Sequence, residues 1–156
     1  MMPLGAGPDA AADSTARMVA AILEYTRWAT ARPVVRVCLK GSARHAERLG
    51  GIILSNGARV EASSLDGSQQ WISDRCDVVY IGQMEAASMR RLIASTTGRP
   101  VVTIVEADLA CRSGAMFCLL YAPQSLSFRL SIDAVSRSTV RIDPRVLRLR
   151  KEAIEP

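Results

Sequence analysis

The sequence predicts a single α/β domain whose mainly parallel, doubly wound sheet is flanked by helices and ends in a C-terminal antiparallel hairpin. Three observations carry this reading. Residues 34–40, 77–81 and 101–105 are nearly unbroken apolar runs, the character of strands covered on both faces. Segments of helical period alternate with these runs, an arrangement that argues for right-handed βαβ units. After Glu106 the pattern changes to two strands, 115–121 and 126–132, separated by only four residues.

The elements follow in order. A first helix over 11–31 is capped by Asp13 or Ser14, carries Met18, Val19, Ile22, Leu23 and Tyr25 on one stripe, and is stopped by Pro33. Strand 34–40 comes next, and Gly41-Ser42 then opens a helix through His45, Leu49, Ile52 and Ile53 that Gly57 ends. A strand at 58–62, a short helix at 69–73, the strand 77–81 and a helix over 84–95 closed by Gly98 continue the alternation, and Pro100 leads into strand 101–105. In 126–132, Leu126, Phe128, Leu130 and Ile132 alternate with Ser127, Arg129 and Ser131, so one face is buried and the other wet. Asp133 caps a short helical turn. Asp143 followed by Pro144 is an N-cap with proline at the first helical position, and it starts a last helix with Val146, Leu147 and Leu149. Residues 1–14 read as a flexible N-terminal segment and 15–152 as the domain, without repeats or a long linker.

Composition narrows the function. The 156 residues are 49% hydrophobic and 22% charged, enough to bury a core, and no apolar run approaches the roughly 18 residues of a membrane-spanning helix. The net charge of +5 is almost entirely arginine, since Lys40 and Lys151 are the only lysines. A basic chain makes nucleic acid a candidate partner, but the arginines are dispersed and only 4% of residues are aromatic, too few to stack bases; no nucleic acid is expected. The N-terminus lacks the basic and apolar regions of a signal peptide, so the chain is either cytoplasmic or has already lost its leader.

No glycine-rich nucleotide loop, nucleophile elbow or zinc-binding helix motif occurs, and no cofactor or metal is expected. His45, the only histidine, has no ligand at suitable spacing and reads as a solvated helix residue. Asp66, Asp74, Glu106 and Asp108 fall in loops or at strand ends, where α/β sheets place ligand sites. Ser42, Glu106 and Asp108 therefore frame a competing reading, a small enzyme acting on an acidic or phosphorylated metabolite.

The four cysteines are more informative. Cys38 lies in the first strand of the parallel set, Cys76 just before the third, Cys111 in the loop after the fourth and Cys118 in the fifth. Cys38 and Cys118 sit among aliphatics, as buried free thiols do. Pairing of Cys38 with Cys76 and of Cys111 with Cys118 is also within reach of the topology, and would require an oxidising compartment. Both readings stay open on the residues alone.

The assembled motifs resemble the YfiR family of periplasmic repressors. The matching stretches are Ile22-Leu23-Glu24-Tyr25-Thr26-Arg27-Trp28, Val35-Arg36-Val37-Cys38 and Cys76-Asp77-Val78-Val79-Tyr80-Ile81-Gly82. They continue with Cys111-Arg112-Ser113-Gly114-Ala115-Met116-Phe117-Cys118, Phe128-Arg129-Leu130-Ser131-Ile132-Asp133 and Val140-Arg141-Ile142-Asp143-Pro144-Arg145-Val146-Leu147. The similarity runs from about Arg17 to Lys151, and the segment between Cys111 and Cys118 is its most specific part. Ala29 stands where the family often has proline, and Thr139 where glycine is frequent; neither adjoins a cysteine, so only local turn geometry is affected.

The resemblance implies a protein without catalytic activity that resides in the periplasm, its signal peptide removed so that the mature chain begins near Gly5 or Asp9. It implies the pairs Cys38–Cys76 and Cys111–Cys118, the shorter of which is the expected redox switch. The implied partners are a YfiN-type inner-membrane diguanylate cyclase, whose repression lowers cyclic-di-GMP and biofilm formation, a YfiB-type OmpA-like outer-membrane lipoprotein that sequesters the repressor, and a second copy in a homodimer. Phe117 and Met116, with Arg129 and Val135 near the hairpin, are candidate partner contacts, although Phe117 fits a core equally well. Arg27 and Trp28 are a candidate ligand or partner patch, against a Trp28 that covers the core end of the helix. Arg141 with Arg145 are candidate contacts for an anion such as a peptidoglycan carboxylate or a small nucleotide, against a solvated arginine face.

Overall fold

Along each central strand, alternate side chains enter two separate apolar layers, because successive residues of an extended chain point to opposite faces. The computed structural model describes residues 2–4, 9–65, 72–108 and 110–151. In chain order the elements are β1 (Met2–Pro3), α1 (Ala10–Glu24), β2 (Thr26–Arg27), β3 (Val34–Lys40), β4 (Arg59–Ser64), α2 (Ile72–Arg75), β5 (Val78–Ile81) and α3 (Ala86–Ala94). They continue with β6 (Val102–Val105), β7 (Phe117–Ala122), β8 (Ser125–Leu130), α4 (Ile132–Ser136), β9 (Arg141–Ile142), a 3-10 turn (Pro144–Leu147) and α5 (Arg148–Lys151). The main sheet has the order β1-β8-β7-β6-β5-β3-β4. From β4 to β7 all pairings are parallel, whereas β8 runs antiparallel to β7 and β1 antiparallel to β8. This is the mainly parallel α/β sheet with a C-terminal hairpin that the sequence predicts.

One face of the sheet, with Val35, Val37, Val78, Tyr80, Val102, Ile104, Phe117 and Leu119, packs against the Met18, Val19, Ile22 and Leu23 stripe of α1. The opposite face, with Cys38, Val79, Ile81, Val105 and Cys118, packs against Met89, Leu92 and Ile93 of α3. All four cysteines belong to this second layer.

Several boundaries differ from the sequence reading, each for a tertiary reason. Helix α1 begins at Ala10 rather than at an Asp13 or Ser14 cap; Ser14 and Thr15 are buried within it. It ends at Glu24, not Ala31, because Thr26 and Arg27 pair with Ile142 and Arg141 in a small second sheet. No helix forms between Gly41 and Gly57. There the Arg44 and His45 amides donate to the Glu106 carboxylate, the Gly51 amide donates to the Val60 carbonyl and the Val60 amide to the Ile52 carbonyl, so a helical ladder is replaced by bonds to the sheet. The hairpin turn is shorter than expected, since β7 reaches Ala122 and β8 starts at Ser125. Ile132 belongs to α4, whose cap is Ser131 rather than Asp133: the Ser131 hydroxyl accepts from the Ala134 amide at 3.1 Å. Asp143 does cap its turn, accepting from the Arg145 amide at 2.9 Å, and Pro144 occupies the first position. The short helix expected at 69–73 falls largely outside the described residues, as does Asp66; α2 begins at Ile72.

Candidate functional site

Parallel pairing of β3 with β5 sets Cys38 opposite Val79, which brings Cys76, just ahead of β5, within reach of Cys38. The two form a disulfide with a Cα–Cα distance of 5.7 Å, and both residues are buried. Cys111 and Cys118 form the second disulfide, also at 5.7 Å between Cα atoms, joining the loop after β6 to β7. Cys118 is buried, while Cys111 is half-exposed and adopts φ = 50°, the left-handed region that non-glycine residues avoid. No described cysteine is free.

The surroundings of the first disulfide are electrostatic. Asp77, next to Cys76, is 1% exposed in its side chain and accepts from Arg32 Nε at 3.0 Å, from the Arg36 amide at 2.9 Å and from Arg36 Nε at 3.3 Å. Arg36 also donates to the Asp74 carbonyl at 2.7 Å. The bridge and this ion-pair cluster together fasten β3 to the entry of β5. Sequence reasoning missed Asp77; its signal is an acid set at the head of an apolar run, a position that demands a buried partner.

The second disulfide borders an exposed surface. Arg129 of β8 lies directly opposite Cys118 of β7, and directly opposed residues share a sheet face. Arg129 is exposed, Val135 on α4 is half-buried, and Ile132, three residues before Val135 on the same helix face, is 73% exposed. Met116 and Phe117 do not belong to this surface: Phe117 is fully buried and meets Phe128 edge-on at 5.5 Å, and Met116 lies in the same core. Both lie in the layer on the α1 side of the sheet, opposite the layer that holds Cys111, Ala115 and Cys118, so neither is exposed to a partner as expected. Ile132 is the residue the sequence concealed, since strand alternation placed it in the buried set.

At another part of the molecule β2 pairs with β9, so Arg27 and Arg141 are register partners and both are exposed. Arg27 also donates to the Glu24 carbonyl at 2.9 Å, closing the end of α1. Arg145 is engaged with Asp143 at 2.6 Å and stands 6.0 Å over the Tyr25 ring. Those hydrogen bonds hold the Asp143 carboxyl at about 2, below the usual carboxylate range. Trp28 donates its indole N–H to the Pro100 carbonyl at 3.0 Å and lines, with Arg27 and Arg32, a cleft of about 600 Å³. The structure thus brings Arg27, Trp28 and Arg141 to one end and commits Arg145 to an internal pair.

The strand-end residues of the enzyme reading are used internally. Glu106 is buried, and its carboxylate accepts from the Arg44 amide, the His45 amide and the Tyr80 hydroxyl. Burial pushes Tyr80 far above the usual phenol range, and pushes Tyr121, which shares a 2.5 Å hydrogen bond with Thr15, up to about 12. His45 rests its ring 4.7 Å from that of Tyr121. Asp108 accepts from the Ser113 amide at 2.8 Å, and Ser42 bridges to Gln83. The crossing of these two loops is so close that a Cβ on Gly82 would stand 2.3 Å from the Ala43 nitrogen. The segment 41–46 thus crosses the carboxyl ends of β5 and β6, where Ser42 bridges to Gln83 and the Arg44 and His45 amides reach Glu106. Among the described residues no three His, Cys, Asp or Glu side chains come together as metal ligands.

The sequence model of the YfiR/HmsC-like family matches residues 12–151, nearly the whole described domain. The chain belongs to the YfiR/HmsC-like family. Membership assigns it a regulatory role in cyclic-di-GMP signalling within a non-catalytic, periplasmic family. Both disulfides that the YfiR resemblance implies are formed. No described helix is long and apolar enough to cross a membrane.

Proposed function

We propose that this YfiR/HmsC-like chain is a non-enzymatic periplasmic repressor of a YfiN-type membrane diguanylate cyclase, lowering cyclic-di-GMP and biofilm formation. A YfiB-type OmpA-like lipoprotein withdraws it from the cyclase, and the working form is a homodimer. The observation that carries the reading is the family match over 12–151 on a fold with both cystines formed. The partner surface consists of the 111–114 segment with Arg129, Ile132 and Val135, and the Cys111–Cys118 bridge sets its shape, which makes repression redox-sensitive. Arg27, Trp28 and Arg141 form a separate contact for an anionic group. The enzyme reading lacks support, because Glu106 and Asp108 spend their acceptors on backbone amides and, in Glu106, a tyrosine.

Deletion of the gene in a strain that carries the cognate cyclase tests this. Cyclic-di-GMP and biofilm rise on deletion and return with the wild-type gene; unchanged levels contradict the repressor reading.

A further inference from the structure

A cavity of about 230 Å³ lies between the end of α3, β6, the segment 113–116 and α4. Part of its wall is apolar, from Ile93, Met116 and Ala134. Thr103 enters from β6 and is 2% exposed. Its hydroxyl oxygen accepts from the Met116 amide at 2.9 Å, and among the described residues nothing accepts its proton, so a buried donor is left over at the cavity wall. Two arginines, Arg90 and Arg137, also line the space. Arg137 is paired with Asp133 at 3.2 Å, whereas the Arg90 side chain has no ion pair or hydrogen bond among the described residues. Two cations against one carboxylate leave a single positive charge, that of Arg90.

Size, charge and donor type select the occupant. At about 230 Å³ the space falls short of the roughly 300 Å³ at which drug-sized sites begin. The size therefore favours a small occupant. A planar guanidinium favours a carboxylate, which it meets with two parallel N–H donors. We propose that this cavity binds a small monocarboxylate with a short apolar tail, the carboxylate held by Arg90 and the Thr103 hydroxyl and the tail resting on Ile93, Met116 and Ala134. The site is separate from the Arg27–Arg141 end and does not rest on the repressor reading. Because Ser113 and Gly114 form one wall and Ala134 another, an occupant ties the disulfide loop to α4.

The test is a titration of the full chain, followed by amide chemical shifts, with isovalerate and with its neutral isostere isovaleramide. Isovalerate gives saturable shifts centred on Gly114, Met116 and Ala134, and isovaleramide binds at least about tenfold more weakly, since a hydrogen bond to a charged group is worth about 1.5–3 kcal/mol. Arg90→Gln, at an exposed position, weakens isovalerate by a similar factor while the remaining spectrum stays folded. Thr103→Ser, which keeps the hydroxyl, binds like the wild type. The proposal is overturned by absence of saturation through the millimolar range, by equal affinity for acid and amide, by undiminished binding in Arg90→Gln, or by shifts centred on Arg27 and Arg141.

Discussion

The Cys38–Cys76 and Cys111–Cys118 bridges lie in the same apolar layer under α3, yet they differ in what surrounds them and in how much chain they close. The first spans 38 residues, ties a central strand to the entry of its neighbour, and is buried beside the Asp77 cluster with Arg32 and Arg36. The second spans 7 residues, holds Cys111 in the left-handed region, and borders an exposed surface. A long-loop cross-link removes more freedom from the unfolded chain, so the first bridge acts mainly on stability. A short one does less there; its effect is the backbone path it imposes on 111–118. Two chemically identical links thus divide between holding the sheet and shaping the surface.

The largest expected effect comes from removing the first bridge. In the chain-entropy relation a 38-residue loop is worth about 4 kcal/mol, a large share of the 5–15 kcal/mol typical of a domain. Replacing Cys38 and Cys76 by Ser lowers the denaturation midpoint or the yield of folded protein more than any other change considered. The corresponding figure for Cys111 and Cys118 is about 2.5 kcal/mol, from which relief of the left-handed Cys111 subtracts about 1 kcal/mol. Equilibrium denaturation of the two double variants checks the order, and equal losses would break the comparison.

Asp77→Asn sharpens it next. Loss of the charge leaves Arg32 and Arg36 facing a neutral amide beside the first bridge, and the cost is about 2 kcal/mol, below that of a fully buried pair because both guanidiniums are partly exposed. Melting of Asp77→Asn in both oxidised and reduced protein measures it, and a larger loss after reduction shows that bridge and ion pair fasten the same junction.

How far these regions can be read from sequence also differs. The strands at Val34–Lys40 and Val78–Ile81 declare themselves through β-branched runs, and the hairpin through Leu126 and Phe128, because each pattern is local and repeated. The residues 41–57 mislead: His45, Leu49 and Ile52 have helical spacing, but the adjacent Gly50-Gly51 weakens a helix by roughly 1 kcal/mol per glycine, and Glu106, some sixty residues away, captures the Arg44 and His45 amides. The early end of α1 is hidden for the same reason, since its cause is a pairing with Arg141 and Ile142. At the candidate site the cysteines and Arg129 are visible from sequence. Ile132 is not, because nothing local marks where strand β8 gives way to α4.

Smaller effects separate the two ends of β7. Tyr121, at the end away from Cys118, is held protonated up to about pH 12 by burial, whereas an unfolded tyrosine ionises near 10. The raised folded value means that this contribution is complete below pH 10 and is lost as pH climbs from 10 towards 12. Stability measured over that window falls, and Tyr121→Phe reduces the slope; an unchanged slope contradicts the assignment. Ser131→Ala removes the cap of α4 and costs about 1 kcal/mol, with local fraying at Ile132 and Val135 visible in hydrogen exchange.

The division of labour between the bridges stands or falls on one paired measurement: melting temperature and cyclase inhibition for Cys111→Ser/Cys118→Ser and for Cys38→Ser/Cys76→Ser. The first variant remains folded and represses more weakly than the wild type, while the second chiefly melts lower. A Cys111→Ser/Cys118→Ser protein that represses as well as the wild type, or melts below the other variant, contradicts the account.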